Sequence, residues 1–257
     1  MDYLSINKDT WNKRTKVHVE SAFYDVASFK NGKCSLNTIE LKQVGDVQGK
    51  SLLHLQCHFG QDTLSWARLG AKVTGVDLSA DAIEQANLLK QSLGLKADFI
   101  ESDVVQFGRK NTQQFDIVFT SYGVLCWLSN LTDWAHTISS SLKVGGEFHL
   151  VEFHAFNDLL LGYSYFPSNE PDIEEEGTYT ENCDGASSTV VTWSHSISEV
   201  VSALIGAGLT IELFSEYPYS PYNCFDGLEL VPNLGYQMLH KGKQVPLLYS
   251  IKARKIA

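Results

Sequence analysis

Cysteine is sparse and scattered in this chain: the five, Cys34, Cys57, Cys126, Cys183 and Cys224, never form a C-x-x-C pair. That odd set argues against a disulfide framework and reads as the reduced thiols of a cytoplasmic protein. Basic residues are in deficit as well, with 20 Lys and Arg against 30 Asp and Glu and a formal net charge of −10. Phosphate backbones are bound chiefly by Lys and Arg, so no nucleic acid partner is expected. No apolar run approaches the length of a membrane-spanning helix, and no basic amphipathic segment suits a membrane surface. The first residues, Met1–Asp9, hold no apolar core of a secretion signal. The first candidate strand is not followed by G-x-G-x-x-G, which removes the fingerprint of a dinucleotide site.

What is present is an alternation of strand and helix patterns from about residue 50 to residue 217, the mark of a parallel sheet covered by helices. The length, 257 residues, suits one large α/β domain with an insertion. Ser51–Leu55 and Lys72–Val76 read as the first two strands, with a helix from Gln61 closed by Gly70 between them. Ser79 suits the cap of the next helix, with Asp81 in its first turn and Ile83, Ala86, Leu89 and Leu93 as its buried stripe. Ala97–Glu101, Phe115–Phe119 and Phe148–Phe153 follow as strands three to five. A helix with Leu131, Trp134, Ala135, Ile138 and Leu142 on one face is expected to stop at Gly145-Gly146. Ser196-Ile197-Ser198-Glu199 is a capping box opening a helix that buries Val200, Val201, Leu204 and Ile205. Thr210–Ser215 makes a sixth strand, and Leu247–Ala253 a seventh, paired antiparallel at the end of the sheet. Two segments leave this rhythm. Residues 1–48 form an N-terminal helical cover ahead of the main domain at 49–257. Residues 155–193 are an aperiodic insertion whose Asp172, Glu174, Glu175 and Glu176 read as a solvated loop face.

The most informative stretch is Leu52-Leu53-His54-Leu55-Gln56-Cys57-His58-Phe59-Gly60-Gln61-Asp62-Thr63-Leu64, followed by Val73-Thr74-Gly75-Val76-Asp77-Leu78-Ser79. It predicts strand, tight turn, helix, second strand, then an acid at that strand's carboxyl end. Such a turn brings a nucleoside against the backbone, and the acid accepts hydrogen bonds from ribose hydroxyls. With Asp103 in Glu101-Ser102-Asp103-Val104 and the strand Phe115–Phe119 running into Thr120-Ser121-Tyr122-Gly123, the chain resembles the class I, Rossmann-like S-adenosylmethionine-dependent methyltransferases. The turn, with Gly123–Leu128 and Val151-Glu152-Phe153-His154, is further similar to a bacterial subgroup of these enzymes; the expected activity is methylation of a small molecule. The resemblance implies a doubly wound, seven-stranded, mostly parallel sheet with an antiparallel last strand, and S-adenosyl-L-methionine as cofactor.

By that resemblance the cofactor residues are His54, Gln56, His58 and Gly60 in the turn, Asp77 and Leu78 after the second strand, Asp103 and Val104 after the third, and Ser121 and Tyr122 after the fourth. The family's turn is acid-x-Gly-x-Gly-x-Gly, and only Gly60 keeps its glycine here. The intact spacing points to Gln56 and His58 setting their side chains against the methionine moiety. His54 has a plainer reading, a strand-end histidine satisfied by local backbone. Asp77 could instead cap the next helix, although Ser79 already suits that duty. Asp103 meets the adenine amino group in the family's pattern, or is a plain loop aspartate.

A sulfonium carries its methyl already activated, so alignment is most of the catalytic task and a base is needed only for a protonated acceptor. Glu152 and His154, two apart on the fifth strand and so on one face, are the candidate acceptor-side pair, with a structural polar pair as the alternative. His149 falls on the opposite face, so His149, Glu152 and His154 do not converge and no metal site is expected. Trp11, Phe23, Tyr24, Trp127, Tyr163, Tyr165 and Phe166 are candidates for a pocket lining or for ordinary packing. Residues 1–30 and 155–193 are expected to cover the site. Two rival functions stay open, a nicotinamide-dependent oxidoreductase and a non-catalytic S-adenosylmethionine-binding protein, and affinity for S-adenosylhomocysteine against NAD separates them.

Overall fold

The computed structural model describes residues 2–257. Helices α1 (Tyr3–Glu20), α2 (Val26–Lys30) and α3 (Thr38–Val44) precede the sheet. The alternating part runs β1 (Ser51–Leu55), α4 (Gln61–Arg68), β2 (Lys72–Asp77), α5 (Ala80–Leu93), β3 (Asp98–Glu101), α6 (Val104–Lys110), β4 (Phe115–Ser121), α7 (Leu131–Ser141) and β5 (Leu142–Phe153). Then come α8 (Phe156–Leu161), β6 (Asp172–Glu176), β7 (Ser188–Thr192), α9 (Ile197–Gly206) and β8 (Leu209–Tyr217). Four short strands, β9 (Glu229–Val231), β10 (Gly235–Gln237), β11 (Leu239–His240) and β12 (Lys243–Gln244), lead to β13 (Leu248–Lys255).

The main sheet has seven strands in the order β3-β2-β1-β4-β5-β13-β8. All pairings are parallel except those of β13, which is antiparallel to both β5 and β8. The final strand is therefore wedged between the fifth and sixth rather than placed at the sheet's end, and β8 becomes the edge. Chain order reverses between β1 and β4, which opens a crevice at their carboxyl ends.

Period-two patterning divides the core. Leu53 and Leu55 of β1, with Val118, Phe148 and Leu150, pack towards Trp134, Ile138, Val200 and Leu204 of α7 and α9. Leu52, Ile117 and Phe119 point the other way, towards Val44 and Trp66 of α3 and α4. Helix α7 ends at Ser141, before the expected stop. Gly145-Gly146 lies instead inside β5, where the pairing with β4 slips register. In the capping box, Ser196 Oγ accepts from Glu199 N at 3.3 Å, but the Glu199 carboxylate turns to His195 Nδ1 at 3.0 Å instead of back to the cap.

The insertion is not a plain loop. β6 and β7 form an antiparallel hairpin that carries the acidic run on its exposed strand. Helix α1 packs against this hairpin. Asn7 Nδ2 donates to Val191 O (2.7 Å) while Asn7 Oδ1 accepts from Val191 N (3.0 Å), and Thr10 Oγ1 donates to Thr189 O (2.6 Å). No helix among the described residues is long and apolar enough to cross a membrane.

Candidate functional site

Between β1 and α4 the chain must reverse within five residues, and it does so through left-handed backbone at Gln56 (φ 56°), His58 (φ 48°) and Gly60 (φ 81°). These are the three positions where the resembling family carries glycine. Left-handed backbone is disfavoured for non-glycine residues by about 1–2 kcal/mol each, so the turn persists only because neighbours hold it. Gln56 Nε2 donates to Val124 O at 2.8 Å, and Cys57 N donates to Val76 O at 3.0 Å. His58 N donates to Asp77 Oδ2 at 2.7 Å. At Gly60 a Cβ would stand 2.7 Å from two ring carbons of Phe99, so packing as well as φ demands glycine there.

Asp77 ends β2 at this turn. Its second oxygen accepts from Ser79 N at 2.9 Å, while Ser79 Oγ caps α5 by accepting from Ala82 N at 3.0 Å. Burial pushes the Asp77 carboxyl up to about 6, against the pull of the backbone N–H groups of Ser79, His58 and Leu78. Asp103 Oδ1 caps α6 by accepting from Gln106 N at 2.8 Å, and Val104 is buried behind it. At the end of β4, Tyr122 and Gly123 adopt φ 51° and 69° and turn the chain over the sheet edge.

A cavity of about 1170 Å³ lies over these strand ends. His54, Gln56, His58 and Gly60 line it from the turn, and Asp77, Leu78, Asp103 and Val104 from the next two strand ends. Ser121, Tyr122 and Glu152 line it from β4 and β5. Ligand sites commonly measure about 300–1,000 Å³, so one nucleoside cofactor leaves room for an acceptor. Trp11, Phe23, Tyr24, Trp127 and Tyr163 also face the cavity, whereas Tyr165 and Phe166 pack on each other outside its lining.

The acceptor-side pair is split. Glu152 lies in the wall, but its Oε1 accepts from Gly123 N and from Phe153 N (2.7 Å), and its Oε2 from Val124 N (2.9 Å) and Leu125 N (3.2 Å). The carboxylate is a clamp on the loop after β4, with little capacity left for a substrate proton. His154 falls just beyond β5 and outside the cavity lining. Its Nε2 pairs with Glu216 at 2.9 Å and its Nδ1 accepts from Phe156 N at 3.1 Å. The shared face expected from spacing two fails for His154 because the strand ends at Phe153.

His54 bonds Thr63 Oγ1 through Nδ1 at 2.8 Å, packs on Phe119, and is held neutral by burial with a pKa near 3. Its bond therefore runs to a side chain of α4 and not to local backbone. His58 Nε2 meets His18 Nδ1 of α1 at 2.9 Å, and His18 Nε2 meets Thr178 Oγ1 of the insertion at 2.5 Å. Burial lowers both imidazoles, His18 to about 3, so both are neutral. Arg14 Nη2 donates to Glu176 Oε2 (2.9 Å) and Gly177 O (2.7 Å), and its guanidinium lies 5.6 and 5.5 Å from the Trp11 and Trp127 rings. None of the contacts of His18 or Arg14 was signalled by local sequence. The segment after β8 was also missed: Tyr222, Cys224 and Phe225 enter the cavity wall, and the aromatic spacing Tyr217, Tyr219, Tyr222 was the available hint.

The donor set fits a nucleoside-sulfonium cofactor. Gln56 Oε1 and His58 Nδ1 are buried without partners in the turn that lines the cavity, as expected of groups awaiting a ligand. Asp77 and Asp103 supply carboxylates at the next two strand ends, and aromatic rings line the wall around them. Among the described residues no cluster of three or more His, Cys, Asp or Glu side chains is arranged to hold a metal.

Residues 52–146 match the family model described as Methyltransferase domain. The ubiquinone biosynthesis O-methyltransferase of Klebsiella pneumoniae is 31% identical over 103 residues, 40% of this chain and 42% of the relative. The match thus spans less than half the length of that relative. A S-adenosylmethionine-dependent methyltransferase from Mesorhizobium loti superposes with a TM-score of 0.55 at 19% identity, covering 88% of this chain and 99% of the other. Magnesium protoporphyrin IX methyltransferase from Synechocystis, solved with bound S-adenosylhomocysteine, gives 0.57 at 13% identity and covers 99% and 100%. With the sheet order, these superpositions give the chain the Rossmann-like fold of S-adenosylmethionine-dependent methyltransferases, and its residues 52–146 match a methyltransferase domain.

Proposed function

We propose that the protein transfers a methyl group from S-adenosylmethionine to a small-molecule acceptor in the cytoplasm. One observation carries the reading: a half-buried carboxylate, Asp77, ends β2 and faces the same large cavity as the left-handed turn whose amide it holds. A carboxylate there suits the two hydroxyls of a ribose. When bound, the cofactor supplies a sulfonium-activated methyl. Asp103 and Val104 take the adenine edge, and Gln56 and His58 offer their unpartnered Oε1 and Nδ1 towards the methionine part. The cover formed by residues 1–30 and 155–193, tied by Asn7, Thr10, Arg14 and His18, excludes water and fixes the acceptor for in-line attack. The curated relatives named as O-methyltransferases and the structure of a porphyrin methyltransferase support a small acceptor over a macromolecule. Five free cysteines support a reducing compartment.

The test is transfer of labelled methyl from S-adenosylmethionine to a panel of small hydroxy, amino and carboxylic compounds, with S-adenosylhomocysteine and NAD titrated in parallel. Binding of S-adenosylhomocysteine but not NAD, with label appearing in a panel member, supports the reading. NAD binding without S-adenosylhomocysteine binding overturns it.

A further inference from the structure

A chain of hydrogen bonds leads from the cavity wall out through the cover. His58 lines the cavity, and its Nδ1 is buried without a partner. Its Nε2 meets His18 Nδ1 at 2.9 Å, and His18 Nε2 meets Thr178 Oγ1 at 2.5 Å. His18 is fully buried, and neither it nor Thr178 lines the cavity. Packing fixes both rings: Tyr24 stacks on His18 at 5.1 Å with Tyr179 at 4.8 Å, and Trp11 and Phe59 flank His58 at 5.3 and 4.6 Å. Thr178 belongs to a stretch of the insertion seated on the end of α1. There Asn182 Nδ2 donates to Val17 O at 2.9 Å, and the Glu181 carboxylate accepts from Ala22 N and Phe23 N.

The protons on this chain can be counted. Each imidazole is neutral and carries one N–H, so a single proton lies between the two rings. Two arrangements satisfy that count. In the first, Thr178 O–H donates to His18 Nε2, His18 Nδ1–H donates to His58 Nε2, and His58 keeps its own N–H at Nδ1. In the second, His58 Nε2–H donates to His18 Nδ1, His18 Nε2–H donates to Thr178 Oγ1, and His58 Nδ1 is a bare acceptor. Among the described residues the Thr178 hydroxyl meets no other protein partner, so the second arrangement leaves its proton unused. The first uses every donor along the chain and is the one the geometry favours. The turn therefore presents an N–H at His58 Nδ1, whose complement is an acceptor group. At the methionine end of the cofactor the carboxylate is that acceptor, whereas the ammonium has only protons to offer.

Building on the methyl-transfer reading, we propose that His58 Nδ1–H receives the methionine carboxylate of the cofactor, and that His18 and Thr178 are positioning residues that hold His58 in this tautomer from outside the cavity. The carboxylate and the Thr178 hydroxyl are then the two ends of one chain of hydrogen bonds. Binding of the methionine end and seating of the insertion on α1 favour each other, since coupling of this kind is reciprocal. The ribose and adenine contacts at Asp77 and Asp103 lie off the chain and do not depend on it.

The experiment titrates S-adenosylhomocysteine and methylthioadenosine, which shares the nucleoside and thioether but lacks the amino-acid end, into the full chain as wild type and His18→Phe. His18→Phe keeps an aromatic ring between Tyr24 and Tyr179 but removes the donor to His58. It should weaken S-adenosylhomocysteine at least about fivefold while methylthioadenosine stays within about twofold. Long-range proton–nitrogen NMR of labelled histidines reads the tautomers. His58 should carry its proton on Nδ1 in the wild-type complex with S-adenosylhomocysteine. In the free protein Thr178→Val should release His18 into both tautomers, and Thr178→Ser should restore the single one. Equal weakening of both ligands in His18→Phe, weakening of neither, a proton on His58 Nε2 in the complex, or a His18 tautomer untouched by Thr178→Val overturns the proposal. Wild type that binds the two ligands equally well overturns the carboxylate contact alone and leaves the cofactor reading standing. Wild type that binds neither sinks the methyl-transfer reading, and the relay falls with it.

Discussion

Replacing Glu152 by Gln keeps the shape of the side chain and exchanges one acceptor oxygen for an NH₂ donor. Each carboxylate oxygen receives two backbone N–H groups, Gly123 and Phe153 on one, Val124 and Leu125 on the other. Whichever oxygen is lost, two buried N–H groups then face a donor. At about 1.5 kcal/mol for each charge-assisted bond, the variant should be destabilised by about 3 kcal/mol. For a domain of this size that corresponds to a fall in melting temperature of about 6–12 °C. Calorimetry reads this directly, with S-adenosylhomocysteine affinity measured on the same sample. A clamp role predicts a lower melting temperature and a loosened 123–127 loop. A variant that melts within about 2 °C of wild type yet has lost turnover would refute the clamp and return Glu152 to the acceptor side.

Three further outcomes follow from single contacts. Burial raises Glu40 from its ordinary 4.5 to about 7, so the folded protein holds a proton that the unfolded chain has released between those values. Stability therefore falls as pH rises through that window, and Glu40→Gln should be more stable than wild type by up to about 3 kcal/mol at pH 8, with no gap below about pH 4. Urea midpoints at both pH values check it. Gly60→Ala places a Cβ against Phe99 in left-handed backbone and should lose about 2–4 kcal/mol in thermal melts. Asn7→Ala removes both hydrogen bonds to Val191, and the loss of about 2 kcal/mol should free α1 from the hairpin and speed tryptic cleavage at Lys13 and Lys16 at least tenfold.

Much of the sheet was legible because its strands are short apolar runs punctuated by Gly, Asp and Ser, a local signal. The β1-turn-β2 unit and the Ser79 cap read correctly for that reason. The place of the last strand did not, since Leu248–Lys255 pairs with residues about a hundred positions earlier on one side and about forty on the other, and local pattern carries no such register. Asp172–Glu176 was read as loop because acidic residues are poor strand formers, yet pairing with Ser188–Thr192 overrides propensity. The residue types of the site were visible in the turn, but their backbone was not: left-handed Gln56 and His58 look like lost glycines in sequence and prove to keep the same conformation. The His18–His58 and Tyr122–Tyr222 contacts are tertiary, and nothing local foretold them.

The central claim is that Asp77 and the left-handed turn beside it hold the ribose end of S-adenosylmethionine. Calorimetric titration of S-adenosylhomocysteine into wild type and Asp77→Ala tests it most directly, with a thermal melt confirming that the variant is folded. The account predicts single-site binding to wild type and affinity at least tenfold weaker in the variant, since charge-assisted bonds to a ribose are worth about 1.5–3 kcal/mol. Equal affinity in a folded Asp77→Ala protein would contradict it.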